Sequence, residues 1–162
     1  MKKNFKSRGS KKGFTLLEVL LVIAILTILS AVGIGYFHSS IVEVAAGSTM
    51  KTFVADIDAA RGRALVGDRG MTWGVLVDAT ANTWELYATT TRNYSADEFI
   101  PEIHPLPSGV VWIDPKSGTR SIEFLPLSGA SITTSFTMGY GAVKLQAAVD
   151  GTGGVRVTRI GG

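Results

Sequence analysis

The sequence predicts an α+β fold in which a long N-terminal α-helix precedes an antiparallel β-sheet or small sandwich. Three observations lead to this prediction. Residues 19–37 form a run of 19 residues without a charged side chain, directly after a basic start. An amphipathic stretch of helical period then continues to about residue 66. From there on, short runs of β-branched and aromatic residues alternate with turn residues.

Composition limits the chain to about one ordinary domain. Its 162 residues include no cysteine, which excludes disulfides, thiolate metal sites and a cysteine nucleophile. The formal charge of +3 is distributed unevenly. Six of the 16 basic residues and none of the 13 acidic residues lie in residues 1–13, which leaves a balance of −3 from residue 14 onward. Nucleic-acid binding therefore does not follow from the overall charge.

The first element is predicted to be a membrane-spanning helix. Nineteen helical residues rise about 28 Å, which matches the hydrocarbon core of a bilayer. Basic residues precede the run, whereas the first one after it is Lys51, so the N-terminus is expected in the cytoplasm and the rest outside. The alternative is a secretory signal peptide cleaved near Ala31 or Gly33, although the apolar core of such peptides usually has only about 7–15 residues.

The second element is predicted to continue the same helix to Val66 with one apolar face. The residues that recur at helical spacing are Ile41, Val44, Ala45, Ser48, Val54, Ile57, Ala60, Ala64 and Leu65. Glycines at positions 33, 35 and 47 weaken this helix locally. Residues 67–70, Gly-Asp-Arg-Gly, are predicted to end the helix and form a turn.

The remaining residues are predicted to form seven short strands. They are residues 72–77, 83–89, 110–113, 121–125, 132–138, 142–149 and 155–160. Residues 92–108 contain three prolines and are predicted to be an exposed loop. Trp73, Trp84 and Trp112 each fall within a predicted strand, which favours packing in the core over ligand stacking.

Glu18 is the charged residue at the start of the apolar helix. A carboxylate just inside an apolar span costs about 2–3 kcal/mol, so it is expected either to have a partner or to be hydrated at headgroup depth. Glu18 lies four residues after Phe14 and therefore on the same helix face. Cleavage after Gly13 would create an amine on Phe14 that the carboxylate could meet.

Residues 11–18, Lys-Lys-Gly-Phe-Thr-Leu-Leu-Glu, and the apolar residues after them resemble the N-terminal signature of type IV prepilins and type II secretion pseudopilins. The resemblance implies that the prepilin peptidase cleaves between Gly13 and Phe14, and that the Phe14 amine is methylated. It also implies that Glu18 neutralises the N-terminal amine of a neighbouring subunit and so sets the register of assembly.

The resemblance also implies a division of the chain and a set of partners. Residues 1–13 are the cleaved basic leader, 14–37 the transmembrane and filament-core helix, 38–66 its amphipathic continuation, and 67–162 a β-rich head. The implied partners are the prepilin peptidase, other pilin or pseudopilin subunits and the inner-membrane assembly platform. The implied location is the bacterial inner membrane, with the head outside, and then a pilus or pseudopilus.

Later residues are similar to those of the GspH/FimT-type minor pilins and pseudopilins. The similarity covers the alanine-rich helix end at residues 55–64, the strand and turn with Phe124, Pro126 and Gly129, and the glycine- and arginine-containing residues 154–162. A different minor pilin with a β-rich head is the alternative. The expected function is that of a structural subunit of a type II secretion pseudopilus or a type IV pilus.

A second hypothesis is DNA binding, because some FimT-like pilins take up DNA through basic residues near the C-terminus. Arg156 and Arg159 are the candidates here. They are three residues apart and would lie on opposite faces of an ideal strand. The alternative role for both is to discourage edge-to-edge pairing of an exposed strand.

Nothing in the sequence predicts catalysis, a cofactor or a metal site. His38 adjoins the apolar helix and His104 lies in the proline-rich stretch, and neither has neighbours at metal-ligand spacing. The chain contains neither a Gly-x-Ser-x-Gly elbow nor a phosphate-binding loop. The protein is therefore not expected to be an enzyme, and ATP for assembly would be used by a separate motor.

Overall fold

The computed structural model describes residues 13–90 and 99–161, without the side chains of residues 31–40, 42 and 99–101. The chain divides into two units, Met1–Ser39 and Ser40–Gly162. A single α-helix, α1 (Leu16–Leu65), is followed by a short 3-10 helix, Asp68–Gly70. The strands are β1 (Thr72–Asp78), β2 (Thr83–Thr89), β3 (Phe99–Pro105), β4 (Val111–Asp114), β5 (Thr119–Phe124), β6 (Thr134–Tyr140), β7 (Val143–Val149) and β8 (Val155–Gly161).

The strands form two antiparallel sheets of four strands each. Their orders are β3-β2-β1-β5 and β4-β6-β7-β8. All seven strands predicted from the sequence are present, with ends shifted by at most two residues. The α+β, pilin-like fold, with a long N-terminal helix and a β-rich head, is thereby confirmed.

Strand β3 contradicts the prediction of a loop over residues 92–108. Residues 99–105 pair with β2 instead, from Thr83 opposite Pro105 to Ala88 opposite Phe99, with one irregularity in the register. Proline cannot donate a ladder hydrogen bond, but β3 is at the edge of its sheet, where that loss is tolerated. The rest of the predicted loop includes residues 92–98, which lie outside the described residues.

The face of α1 that packs on the sheets differs in part from the predicted face. The buried side chains recur every three or four residues, at Ala46, Met50, Phe53, Ile57, Ala60 and Ala64. Ile57, Ala60 and Ala64 are as predicted. By contrast, Ile41 and Val44 are 64% and 70% exposed, and Ser48 and Leu65 are also exposed. The prediction was wrong for these four residues, because the packed face begins at Ala46 and passes through Met50 and Phe53.

The core of the head is built around Phe53. Its ring makes edge-to-face contacts with Trp84, Trp112 and Phe136, at centroid distances of 5.8, 5.1 and 5.4 Å. These partners come from β2 in one sheet and from β4 and β6 in the other. Trp73 is also fully buried, so the predicted core role of all three tryptophans is confirmed. One aromatic side chain of α1 therefore joins both sheets.

Helix α1 ends at the predicted stop. Gly67 adopts φ of +65°, a left-handed conformation that glycine reaches without strain. Its N–H donates to the carbonyl of Ala64 at 3.0 Å, and the N–H of Leu127 donates to the same carbonyl at 2.8 Å. The helix end is thus tied to the turn after β5.

Candidate functional site

The N-terminal end of α1 is formed by a threonine cap. Gly13, Phe14 and Thr15 precede the helix. The N–H of Glu18 donates to the side-chain Oγ1 of Thr15 at 3.2 Å and to its carbonyl at 3.1 Å. This geometry makes Thr15 the N-cap residue and Glu18 the third residue of the helix. This role of Thr15 was not predicted, although the Thr-x-x-Glu spacing of a capping box is a signal for it in the sequence.

The predicted processing and assembly residues lie together in this segment. Phe14 is 78% exposed and Gly13 is also exposed, and neither is part of the helix. Glu18 is exposed in the first turn, where the helix dipole stabilises a carboxylate. The cleavage at Gly13 and Phe14, the methylation of Phe14 and the assembly role of Glu18 stay predictions.

The residues after Glu18 present an apolar surface on every side of the helix. All side chains from position 19 to position 30 are exposed, and most are leucine, isoleucine or valine. A helix that is apolar all round is stable only when another apolar medium or another helix covers it. No helix among the described residues contains a segment long and apolar enough to cross a membrane.

Arg156 and Arg159 do not form one basic patch. In the β7–β8 pairing Arg156 lies opposite Ala148 and Arg159 opposite Leu145, so the two side chains leave opposite faces of the strand. The guanidinium of Arg159 forms an ion pair with Glu43 on α1. No sequence signal pointed to this pair, because its members are 116 residues apart. Their arrangement gives no support to DNA binding.

Residues that carried the resemblance to GspH/FimT-type proteins meet at the C-terminal end of α1. The side chain of Arg61 lies against Gly153, where a Cβ atom would be 2.8 Å from the Arg61 Nε and 2.5 Å from the carbonyl oxygen of Gly129. Gly129 in turn leaves room for Leu65, whose Cγ would be 2.8 Å from a Cβ atom there. The glycines therefore allow two turns to pack directly on the helix.

The turn between β7 and β8 is held by Asp150. Its carboxylate accepts hydrogen bonds from the Thr152 hydroxyl at 2.6 Å and from the backbone N–H groups of Thr152 and Gly154 at 2.9 and 3.0 Å. The Thr152 hydroxyl is the main reason that the pKa of Asp150 lies below its usual value, and the two backbone N–H groups add to the effect. The turn is thus fixed beside Arg61.

A bidentate ion pair joins the two sheets. The Arg120 guanidinium on β5 donates to both oxygens of Asp114 on β4 at 2.9 Å, and to the carbonyl of Ser135 on β6 at 2.9 Å. The hydrogen bonds from Arg120 lower the pKa of Asp114, and Asp114 raises the pKa of Arg120 in the same way. Arg120 therefore links one sheet to two strands of the other.

Within the described parts of the chain, no cluster of three or more histidine, aspartate or glutamate side chains is arranged to hold a metal ion. His104 lies on strand β3 and not in a loop, which corrects its predicted position. The side chain of His38 is outside the described set.

Comparison with known proteins identifies both parts. Residues 8–34 match the prokaryotic N-terminal methylation motif, and residues 49–160 match the family described as type II transport protein GspH. Neither a curated protein nor a solved structure matches the chain. Members of the matched families are structural subunits and not enzymes. The chain therefore belongs to the GspH family and is a type II secretion pseudopilin or type IV pilin-like subunit.

Proposed function

We propose that this chain is a minor subunit of a type II secretion pseudopilus or a type IV pilus, which enters the filament through the first part of α1. The observation that carries the proposal is the methylation motif followed by a helix that is apolar on all sides. Assembly buries this surface against the helices of other subunits, while the head keeps its own core.

Processing by the prepilin peptidase occurs between Gly13 and Phe14, and the new Phe14 amine is methylated. The position of these residues supports the proposal, since both are exposed and precede the first helical turn. Exposed chain segments outside regular secondary structure are the preferred sites of proteolysis. The leader 1–13 is then lost, and the mature chain begins one residue before the Thr15 cap.

Glu18 neutralises the Phe14 amine of a neighbouring subunit. A carboxylate among apolar helices is tolerated best when it is paired with a cation. The Thr15 cap fixes the helix start and places Glu18 in the first turn, close in sequence to the new amine of its own chain. The same carboxylate can therefore pair within one chain before assembly and between chains afterwards.

Before assembly, the subunit is held in the inner membrane by residues 14–37, with its N-terminus in the cytoplasm and its head outside. The support is the charge-free sequence 19–37 together with the six basic residues before it. Residues 38–66 form the helical continuation under the head and residues 67–162 the β-rich head. The inner-membrane assembly platform is the third partner, after the peptidase and the other subunits.

Substitution of Glu18 tests this proposal. A Glu18→Gln variant keeps size and polarity but has no charge, so it should enter the membrane normally and be strongly depleted from sheared filaments. The measurement is the ratio of subunit in the filament fraction to subunit in the membrane fraction, by immunoblot. Asp58→Asn, which removes an exposed acid from the second half of α1, is the matched control and should assemble normally. Normal assembly of Glu18→Gln would contradict the role given to Glu18.

A further inference from the structure

His104 lies between the edge strand of one sheet and helix α1. Its side chain is 21% exposed, and its ring stacks on Trp84 with centroids 5.0 Å apart and planes 19° from parallel. The Nε2 atom is 3.4 Å from Oδ2 of Asp56 on α1 and 3.4 Å from Oε1 of Glu102 on β3. One imidazole nitrogen therefore faces two carboxylates from two elements.

The surroundings of Nε2 fix the tautomer of His104. This atom is buried and makes no hydrogen bond to any described residue. The two groups nearest to it are carboxylate oxygens, which accept hydrogen bonds and repel a lone pair. The hydrogen of the neutral ring is thus expected on Nε2, and Nδ1 is the nitrogen that gains or loses the second proton.

Asp56 is held in place for this contact. The indole N–H of Trp84 donates to the same Asp56 Oδ2 at 2.7 Å, while the Trp84 ring lies against His104. Trp84 therefore orients the carboxylate and also offers a π-face to the imidazole, a position in which a positive charge is stabilised by the ring.

We propose that His104 is a pH-responsive clasp, which as an imidazolium holds edge strand β3 to α1 through Asp56 and is further stabilised by Glu102 of its own strand. Gain of a proton at Nδ1 turns two weak contacts into two ion pairs and adds a cation–π contact with Trp84. Loss of that proton leaves a neutral N–H between two carboxylates that repel each other.

The clasp depends on the charged groups that face His104. Among the described residues they are Asp56 from α1 and Glu102 from β3 itself, whereas β2 contributes the uncharged Trp84. The clasp is therefore closed when the imidazole is protonated and both carboxylates are ionised, and it opens when the imidazole loses its second proton.

The clasp acts at a strand that needs such support. β3 pairs with β2 alone, and its pairing contains a register irregularity after Leu86. Two prolines, at positions 101 and 105, remove backbone donors from this strand. Protonation of His104 thus attaches β3 to α1, and loss of the proton leaves β3 held by its ladder with β2.

Thermal unfolding of the full chain in detergent micelles, at pH 5.5 and pH 8, tests the clasp. The quantity to compare is the Tm at pH 5.5 minus the Tm at pH 8. It should be about 3 °C larger for the wild type than for His104→Gln. Glu102→Gln, at an exposed position where refolding is not at risk, should remove about half of this difference. Asp58→Asn is the control and should leave it unchanged.

Nitrogen NMR of the histidine rings provides a second measurement that does not depend on stability. The protein has two histidines, so His38→Gln assigns the signals. His104 should carry its hydrogen on Nε2 at pH 8 and on both nitrogens at pH 5.5. An Nδ1–H tautomer at pH 8, or the same pH dependence of Tm in wild type and both His104→Gln and Glu102→Gln, would overturn the proposal.

Discussion

At the scale of single residues, polar contacts between different elements help to hold the head together. Arg120 reaches Asp114 and Ser135, and Arg159 reaches Glu43. Neither pair follows from a sequence pattern, because a contact between two elements depends on their register and packing and not on spacing along the chain. Thr15 is different, since its cap role is local: it was not predicted, although the Thr-x-x-Glu spacing is a signal for it.

The Asp114–Arg120 pair makes one contribution to stability dependent on pH. Since the pKa of Asp114 is lowered in the folded protein, its contribution is complete above about pH 4 and is lost as the pH falls through the folded pKa. The side chains of Arg120 and Asp114 are 36% and 46% exposed. Asp114→Asn should therefore lower the free energy of unfolding by only about 0.5 kcal/mol at pH 7. Urea unfolding of the full chain in micelles at pH 7 and pH 2.5 measures this difference.

The cost of Asp114→Asn should be smaller at pH 2.5 than at pH 7, because the contribution of the charged carboxylate is lost as the pH falls through the lowered pKa of Asp114. Asp58→Asn serves as the comparison, since it removes an exposed acid from α1, and should change stability little at either pH. An equal cost of Asp114→Asn at both pH values would show that the pair does not contribute through its charge.

At the scale of elements, the sequence predicted helix α1 and seven of the eight described strands. Seven strands and the helix follow from periodicity and turn residues, which are local properties. β3 was missed because its prolines argue against a strand, and a sequence does not reveal that a strand is at an edge. The packed face of α1 was partly wrong for a related reason: apolar residues occur on more than one side, and only the sheets decide which side is buried.

Substitutions of Phe53 and Val44 compare the buried side of α1 with its exposed side. Phe53→Ala removes a fully buried ring that contacts both sheets, and should lower the free energy of unfolding by about 3–5 kcal/mol. Val44→Ala changes an exposed position and should cost less than about 0.5 kcal/mol. Urea unfolding followed by tryptophan fluorescence measures both. Similar costs for the two variants would contradict the packing of α1 described here.

At the scale of the whole molecule, the two units differ in what they bury. The head has its own core of aromatic and aliphatic side chains from α1 and both sheets. The described side chains of the first unit are exposed and mainly apolar, so they require burial by something other than this chain. The family comparison is consistent with this exposure, since pilins and pseudopilins are subunits that assemble with one another. The apolar run and the N-terminal motif could be recognised in the sequence. The packing of α1 side chains against both sheets could be seen only in the structure.

The most direct test of the account is the intact mass of the protein purified from its own membranes, with the prepilin peptidase gene present and deleted. We expect a chain that begins at N-methylated Phe14 when the peptidase is present, and the unprocessed chain when it is absent. A chain that retains residues 1–13 in both strains would contradict processing at Gly13 and Phe14, and with it assembly through a free amine beside Glu18.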